Sequence, residues 1–367
     1  MTAATPSPRV VLGMTLHNNA RHLREALDSL CAQSYSTFAL LMLDDASTDA
    51  TEEIAREYAA RDPRLRYYRH TERRAMIATW REVAETAARD YPAAPYFAWV
   101  SDHDRWHPRW LEAMVATLDN HADAVLAYPI TRRITADSGE ELEKGPRLFE
   151  TPAGAGVRDR WAYFCRYGVG SGDMVYGLMR MAAVQRAGIF RTVLRPDKLL
   201  IAELTLYGQI RQVPEVLWYR RQSAATSVSR QRHTLVVESE TPRLFAAPPW
   251  LQHAIVLWRE YVRTDPRPLP LSNADWRRML AQYQLRYGWR HLRKSETSHA
   301  VGRTIDNAIW TKKVVRHGYH HAVYHTLVGG RVALGRLRRL SRRTIYHVLV
   351  LMHRIGLRGG SGETPIR

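Results

Sequence analysis

The sequence predicts an α/β fold, a mostly parallel sheet sandwiched by helices, followed by a basic helical region at the C-terminus. Three observations predict it. Short apolar runs rich in β-branched residues alternate with stretches of helical period. Two of these runs end abruptly in carboxylates. The charge is also split along the chain. Residues 1–240 carry 31 Lys and Arg against 30 Asp and Glu, whereas residues 241–367 carry 23 against 6.

Residues 9–16, RVVLGMTL, read as the first buried strand. HNNA turns the chain, and Leu23, Ala26, Leu27, Leu30 and Cys31 then recur at helical spacing within 20–33. FALLMLDD (38–45) is the second strand, and residues 50–60 are a helix with Asp49 or Thr48 as N-cap. LRYYRH (65–70) is the third strand and 75–89 a further helix. YFAWVSD (96–102) is the fourth strand, Pro108 opens a helix over 108–120, and AVLAYPITR (124–132) is the fifth strand. Residues 135–160, polar and rich in Gly and Pro, read as a loop excursion, and order resumes over 161–222. ETPRLFAAPPW (240–250) is the expected hinge between a neutral domain, 1–240, and the basic region, 241–367. Within the latter, 251–263, 274–294 and 299–355 read as helices.

Cys31 and Cys165 lie in no CxxC pair, which argues against a zinc site or a disulfide framework. The opening MTAATPSPRVV lacks the basic start and apolar run of a signal peptide, and no run of eighteen apolar residues occurs. The expectation is a cytoplasmic chain. A net charge of +18 raises nucleic-acid binding as a rival function. The charge is confined to one region and no nucleic-acid-binding motif is present, so no nucleic-acid partner is expected.

In sheets of this kind ligands bind beyond the carboxyl ends of the strands. Asp44-Asp45-Ala46-Ser47-Thr48-Asp49 puts three carboxylates and two hydroxyls there, suited to a ribose and a base. Helix capping would account for Ser47 or Asp49, but not for the doubled Asp leaving a buried strand. Ser101-Asp102-His103-Asp104 ends another strand with two carboxylates around an imidazole. A diphosphate leaving group needs its charge neutralised, and Mg²⁺ or Mn²⁺ on one or two carboxylates does this. Imidazole inclines the choice towards Mn²⁺. A polar turn is the plainer reading of a D-x-D by itself.

Taken together, VVLGMTLHNN, LREALDSLCAQSY, LLMLDDASTDAT and FAWVSDHDRWHPRWL resemble the nucleotide-sugar domain of glycosyltransferase family 2, over about residues 9–222. The resemblance implies a Rossmann-like GT-A fold, with donor binding over 9–132 and an acceptor side over 161–222. It implies an inverting transfer of a sugar from a nucleoside diphosphate, UDP by default, to a hydroxyl of a glycan or lipid-linked acceptor. Thr15 and His17 match the loop against nucleobase and ribose, Asp45 the base-binding carboxylate, and Asp102 the ribose- and metal-binding motif. Counting back from Pro108, the usual metal-binding Asp is His103 here, so the ligand is His103, Asp104 or Asp102.

The family's general base lies about eleven residues before a Gly that precedes a strand. Asp197 stands eleven residues before Gly208, although Pro196 replaces the usual preceding Glu. An acceptor hydroxyl must lose its proton as it attacks the anomeric carbon. Asp173 and Glu203 are the competitors, and a helix cap is the plainer reading of Asp197. The Gly-rich stretch 168–177, with Asp173, resembles the acceptor side. Arg220 and Arg221 offer guanidinium groups to a diphosphate.

The C-terminal stretch 330–357 is basic and amphipathic, and suits the anionic inner face of a membrane. Trp250, Trp258, Trp276, Trp289 and Trp310 are candidates for that interface. Three rival functions follow. A non-catalytic nucleotide-sugar binder would bind without transfer, a retaining transferase would give the other product anomer, and a nucleic-acid binder would show salt-dependent RNA binding with no turnover.

Overall fold

The computed structural model describes residues 7–74, 76–142, 148–168, 172–222, 247–264 and 269–292. The helices expected over 299–355, including Trp310, lie outside the described residues.

Strands β1 (Val10–Leu16), β2 (Phe38–Asp44), β3 (Leu65–Arg69) and β4 (Tyr96–Val100) are parallel neighbours in the order β3-β2-β1-β4. The helices between them are α1 (Ala20–Cys31), α2 (Thr51–Arg61) and α3 (Met76–Asp90). The chain thus moves outward from β1 to β3, and α3 returns it to the other side of β1. That reversal opens a crevice at the carboxyl ends of β1 and β4.

Beyond β4 the sheet becomes mixed. Two-residue β5 (Arg105–Trp106) is followed by α4 (Trp110–Asn120), β6 (Ala124–Ile134) and two-residue β7 (Glu141–Leu142). Then come α5 (Val157–Tyr167), β8 (Leu178–Arg180), α6 (Met181–Arg186), α7 (Pro196–Tyr207) and β9 (Gln209–Arg221). β8 is antiparallel to both β4 and β6, while β9 runs parallel to β6 and antiparallel to β5. β6 and β9 therefore end at the same edge as β1, β2 and β4. The expected loop over 135–160 contains β7 and the start of α5.

Alternate strand residues serve opposite faces, as the two-residue period requires. Val11, Leu41, Leu43, Phe97 and Trp99 pack under α3, α5 and α7. Val10, Leu12, Leu40, Met42, Ala98 and Val100 pack under α1, α2 and α4. A sheet buried on both faces reads as continuous apolar runs, which is how β1, β2 and β4 read.

Two more helices extend the first core. α8 (Pro249–Trp258) runs on as a π-helical turn, Arg259–Arg263, and α9 (Asn273–Gln282) as a π-helical stretch, Tyr283–Leu292. Leu251, Leu257, Tyr261, Met279, Tyr283 and Tyr287 share the core of α5 and α7, so residues at the expected hinge begin a packed helix. Trp250 and Trp276 are buried there, not presented to a membrane; the Trp276 side chain is stacked on Tyr261. Trp258 is half-buried. Among the described residues, no helix is long and apolar enough to cross a membrane.

Gly208 joins α7 to β9 in extended backbone, so its small size, not its φ, is what matters. A Cβ there would lie 2.6 Å from the Asp123 carbonyl oxygen and press on Val125. Gly208→Ala is therefore expected to cost about 1–3 kcal/mol, the usual penalty of overpacking. Urea unfolding would show it, and a change within about 0.5 kcal/mol, ordinary for surface sites, would mean the joint relaxes freely.

Candidate functional site

A cavity of about 840 Å³ opens at the carboxyl edge of the parallel strands. Thr15 and His17 reach it from the end of β1, Asp45 from β2, Asp102 and His103 from β4, and Arg220 and Arg221 from β9. Asp173 and Asp197 face it from the segments before β8 and at the start of α7. Asp44, Ser47, Thr48, Asp49 and Asp104, also singled out in the sequence, do not line the cavity.

The doubled Asp divides its work. Asp44 is fully buried and accepts from the Ser47 amide at 2.8 Å, the Ser47 hydroxyl at 2.6 Å and the Tyr67 hydroxyl at 2.8 Å. It closes the turn after β2. Asn18, Asn19 and Ala20 donate backbone N–H groups to Ser47 Oγ, Thr51 Oγ1 and Asp49 Oδ2, which locks the β1 and β2 loops together. The residue preceding α2 is Ala50, with no cap of its own; Asp49 Oδ1 instead accepts the Thr51 amide at 3.0 Å. Asp45 lines the cavity. Its Oδ1 accepts from the Arg74 amide at 2.6 Å and lies 3.1 Å from His70 Nδ1, whose Nε2 meets Glu82 at 3.1 Å. Arg73 Nε lies 3.9 Å from Asp45 Oδ2. His17 Nδ1 bonds the Asp45 carbonyl oxygen at 2.9 Å, which ties the two loops at the cavity floor.

Asp102, His103 and Asp104 point different ways. Asp104 is buried, with Oδ1 accepting the Arg221 amide at 2.8 Å and Oδ2 the Trp218 indole N–H at 3.1 Å. Both oxygens are thus held by β9, which removes Asp104 from the candidate metal ligands. Asp102 Oδ1 lies 2.7 Å from His103 Nδ1, and the other ring nitrogen, Nε2, lies 3.9 Å from Asp104 Oδ1. Burial pulls the His103 pKa down, but the Asp102 hydrogen bond and the charges of Asp104 and Asp102 outweigh it, and the net shift is upward. Among the described residues, no three His, Cys, Asp or Glu side chains converge as a metal cage.

The two arginines of β9 also part. Arg221 donates through Nε to the His103 carbonyl at 2.8 Å, through Nη1 to the Ala136 carbonyl at 3.2 Å, and through Nη2 to Glu25. It braces the loop of Asp102 and His103, and its guanidinium is not offered to a diphosphate. Arg220 pairs with Asp173 and lies over the rings of Tyr176 and Trp218. Arg133, from β6, also bonds Asp173, at 2.8 Å. Asp173 therefore serves as counter-ion to two arginines, which disfavours it as a base.

Asp197 is half-buried in the first turn of α7, behind Pro196. A Cβ on Gly172 would lie 2.9 Å from its Oδ2, so the glycine lets the carboxylate seat against the 172–176 segment. Glu203 lies elsewhere, fully buried beside Arg191 and Tyr261 and outside the cavity, which removes it as a base. Sequence reasoning missed Arg73, Trp80, Tyr128 and Arg133 in the lining. Arg133 had a signal, a doubled Arg closing an apolar strand; Trp80, inside a helical pattern, had none.

Residues 12–165 match the family model Glycosyl transferase family 2. EpsE of Bacillus subtilis (strain 168), which carries a glycosyltransferase name, is 27% identical over 200 residues, covering 54% of this chain and 66% of its own. The uncharacterized protein Rv1520 of Mycobacterium tuberculosis is 33% identical over 135 residues, 35% of this chain and 37% of its own. The chain thus spans less than two thirds of the length of each. The crystal structure of S. aureus TarS 1-349 shares the fold at a TM-score of 0.53 and 15% identity, over 77% of this chain and 72% of that one. The family match falls on the stretch from β1 to α5, which carries Thr15, His17, Asp45, Asp102 and His103 of the cavity, and the fold likeness covers more of the chain: residues 12–165 are similar to glycosyltransferase family 2, and the chain has the GT-A fold.

Proposed function

We propose that this protein is an inverting glycosyltransferase that moves a sugar from a nucleoside diphosphate to an acceptor hydroxyl. One observation carries the reading: a single cavity is lined by Thr15, His17, Asp45, Asp102, His103 and Asp197. Asp45 has one oxygen fixed by the Arg74 amide and His70, which holds the carboxylate rigid for a nucleobase N–H. Asp102 and the loops of Thr15 and His17 receive the ribose. Asp197 takes the proton of the acceptor hydroxyl as that oxygen attacks the anomeric carbon from the face opposite the diphosphate, which inverts the centre.

The donor set fits a divalent cation, Mn²⁺ or Mg²⁺. One carboxylate and one imidazole, Asp102 and His103, stand at the cavity, and such an ion ordinarily completes its shell with phosphate oxygens and water. The Asp102–His103 hydrogen bond has the form in which a carboxylate orients a ligating imidazole. When bound, the ion supplies charge neutralisation for the departing diphosphate. Arg220, and Arg73 at the Asp45 end, supply the fixed positive charge of this chain.

UDP is the expected nucleotide, and TarS 1-349 has been crystallised with UDP-GlcNAc, although that likeness is one of fold. A glycan or lipid-linked hydroxyl is the expected acceptor, with the basic C-terminal region at an anionic membrane. A thermal-shift screen with UDP, GDP, dTDP and CDP, each with Mn²⁺, Mg²⁺ or EDTA, tests the donor site. Ligand at 100 times its Kd raises apparent stability by about 2.7 kcal/mol. One nucleotide should stabilise the protein in a metal-dependent way, and Asp45→Ala and Asp102→Ala should each abolish the shift. No shift with any nucleotide at millimolar concentration would overturn the reading.

A further inference from the structure

The segment between α6 and α7 carries the cavity residues Phe190 and Arg195 into Pro196 and Asp197. It is bent twice against preference: Ile189 and Arg195 take φ of 58° and 57°, a left-handed region that L side chains seldom occupy. Such a backbone persists only where its surroundings hold it. The residue before the second bend, Leu194, is held on both sides by α8. Its N–H donates to Gln252 Oε1 at 2.9 Å, and its carbonyl accepts from His253 Nε2 at 2.7 Å.

The grip is itself fixed. Gln252 Nε2 donates to the Ala247 carbonyl at 2.8 Å, which orients the amide. A carbonyl only accepts, so His253 Nε2 carries the proton, and Nδ1 of the neutral ring accepts from the Tyr283 hydroxyl at 2.6 Å. Leu194, Gln252, His253 and Tyr283 are all inaccessible to solvent. Burial pushes the His253 imidazole down to about 4, which keeps it neutral at physiological pH. At the other end of the segment, Arg191 is paired with Glu203 and with Glu260 of the turn that follows α8.

We propose that Gln252 and His253 are positioning residues for the transfer: by holding both backbone polar groups of Leu194, α8 sets the left-handed turn at Arg195 and hence the place of Asp197 in the cavity. The proposal rests on the reading of Asp197 as the base. It makes a helix outside the stretch matched by the family part of the acceptor half of the site.

The test uses the full chain, the nucleotide found in the thermal-shift screen and a donor–acceptor pair that supports turnover. His253→Ala and Gln252→Leu are expected to lower kcat by about 10²-fold, the effect of misplacing a reacting group by about 1 Å, with nucleotide affinity by calorimetry unchanged. His253→Gln, which keeps an N–H aimed at Leu194, is expected to restore most of the rate. Deuterium uptake over residues 189–197 should rise in Gln252→Leu, a readout that stands even if His253→Ala does not fold. Undiminished kcat, nucleotide affinity falling in step with kcat, no rescue by Gln, or unchanged uptake would each overturn the proposal. Asp197→Asn in the same assays separates the two readings. Turnover retained in Asp197→Asn overturns the base, whereas turnover lost there and kept in His253→Ala overturns only the positioning.

Discussion

Asp197→Asn is expected to lower kcat by about 10²–10⁴-fold, the usual contribution of a general base, and to leave nucleotide affinity unchanged. The substitution keeps the shape of the side chain and removes its ability to take a proton. The carboxylate sits in the first turn of α7 and lines the cavity. The rival carboxylates are occupied: Asp173 by Arg133 and Arg220, Glu203 by Arg191 and Tyr261. A loss of less than about tenfold, too small for a missing base, would move that role to another group. A parallel fall in nucleotide affinity would mean the substitution had disturbed the donor site instead.

The elements that anchor this site were legible because their signals are long. β1, β2 and β4 are unbroken apolar runs, and the carboxylates at their ends fall at the edge where parallel sheets bind ligands. β5, β7 and β8 escaped, since two or three residues show no period to read. Within Asp102-His103-Asp104, spacing alone left the cavity-facing residue open. What decides it is β9, more than a hundred residues away, which takes both oxygens of Asp104. The same strand turns Arg221 inward to the His103 carbonyl and leaves Arg220 at the cavity, a distinction that two adjacent arginines cannot announce. His253 and Gln252 had no signal at all: a polar pair in an apolar helix reads as surface, and their partner is the backbone of Leu194.

Arg191→Leu is expected to be the most destabilising substitution in the C-terminal interface, and the size of the loss should depend on pH. Arg191 bonds Glu203 Oε1 at 3.0 Å, the Tyr261 hydroxyl donates to the same oxygen at 3.0 Å, and Tyr207 backs Tyr261. Burial pushes Glu203 up to about 7, against the opposing pull of Arg191 and the hydrogen bond from Tyr261. Removing the arginine leaves a buried carboxylate without its cation, a change that costs about 3–5 kcal/mol when the carboxylate is charged. At pH 8 that loss should appear nearly in full in urea unfolding. At pH 5 Glu203 is already protonated in the folded protein, so the loss should be much smaller. The wild type obeys the same linkage. Between the ordinary carboxylate pKa and about 7, the folded protein keeps on Glu203 a proton that the unfolded chain has released, so this group's contribution falls as pH rises through that window. Glu203→Gln removes the titration, and its stability relative to wild type should therefore climb from pH 4.5 to pH 7 by on the order of 3 kcal/mol. The double variant Arg191→Leu, Glu203→Gln should recover most of the loss at pH 8, since no unpaired charge remains. Equal losses for Arg191→Leu at pH 5 and pH 8 would show that Glu203 does not titrate there, and that the arginine acts through packing and its bond to Glu260.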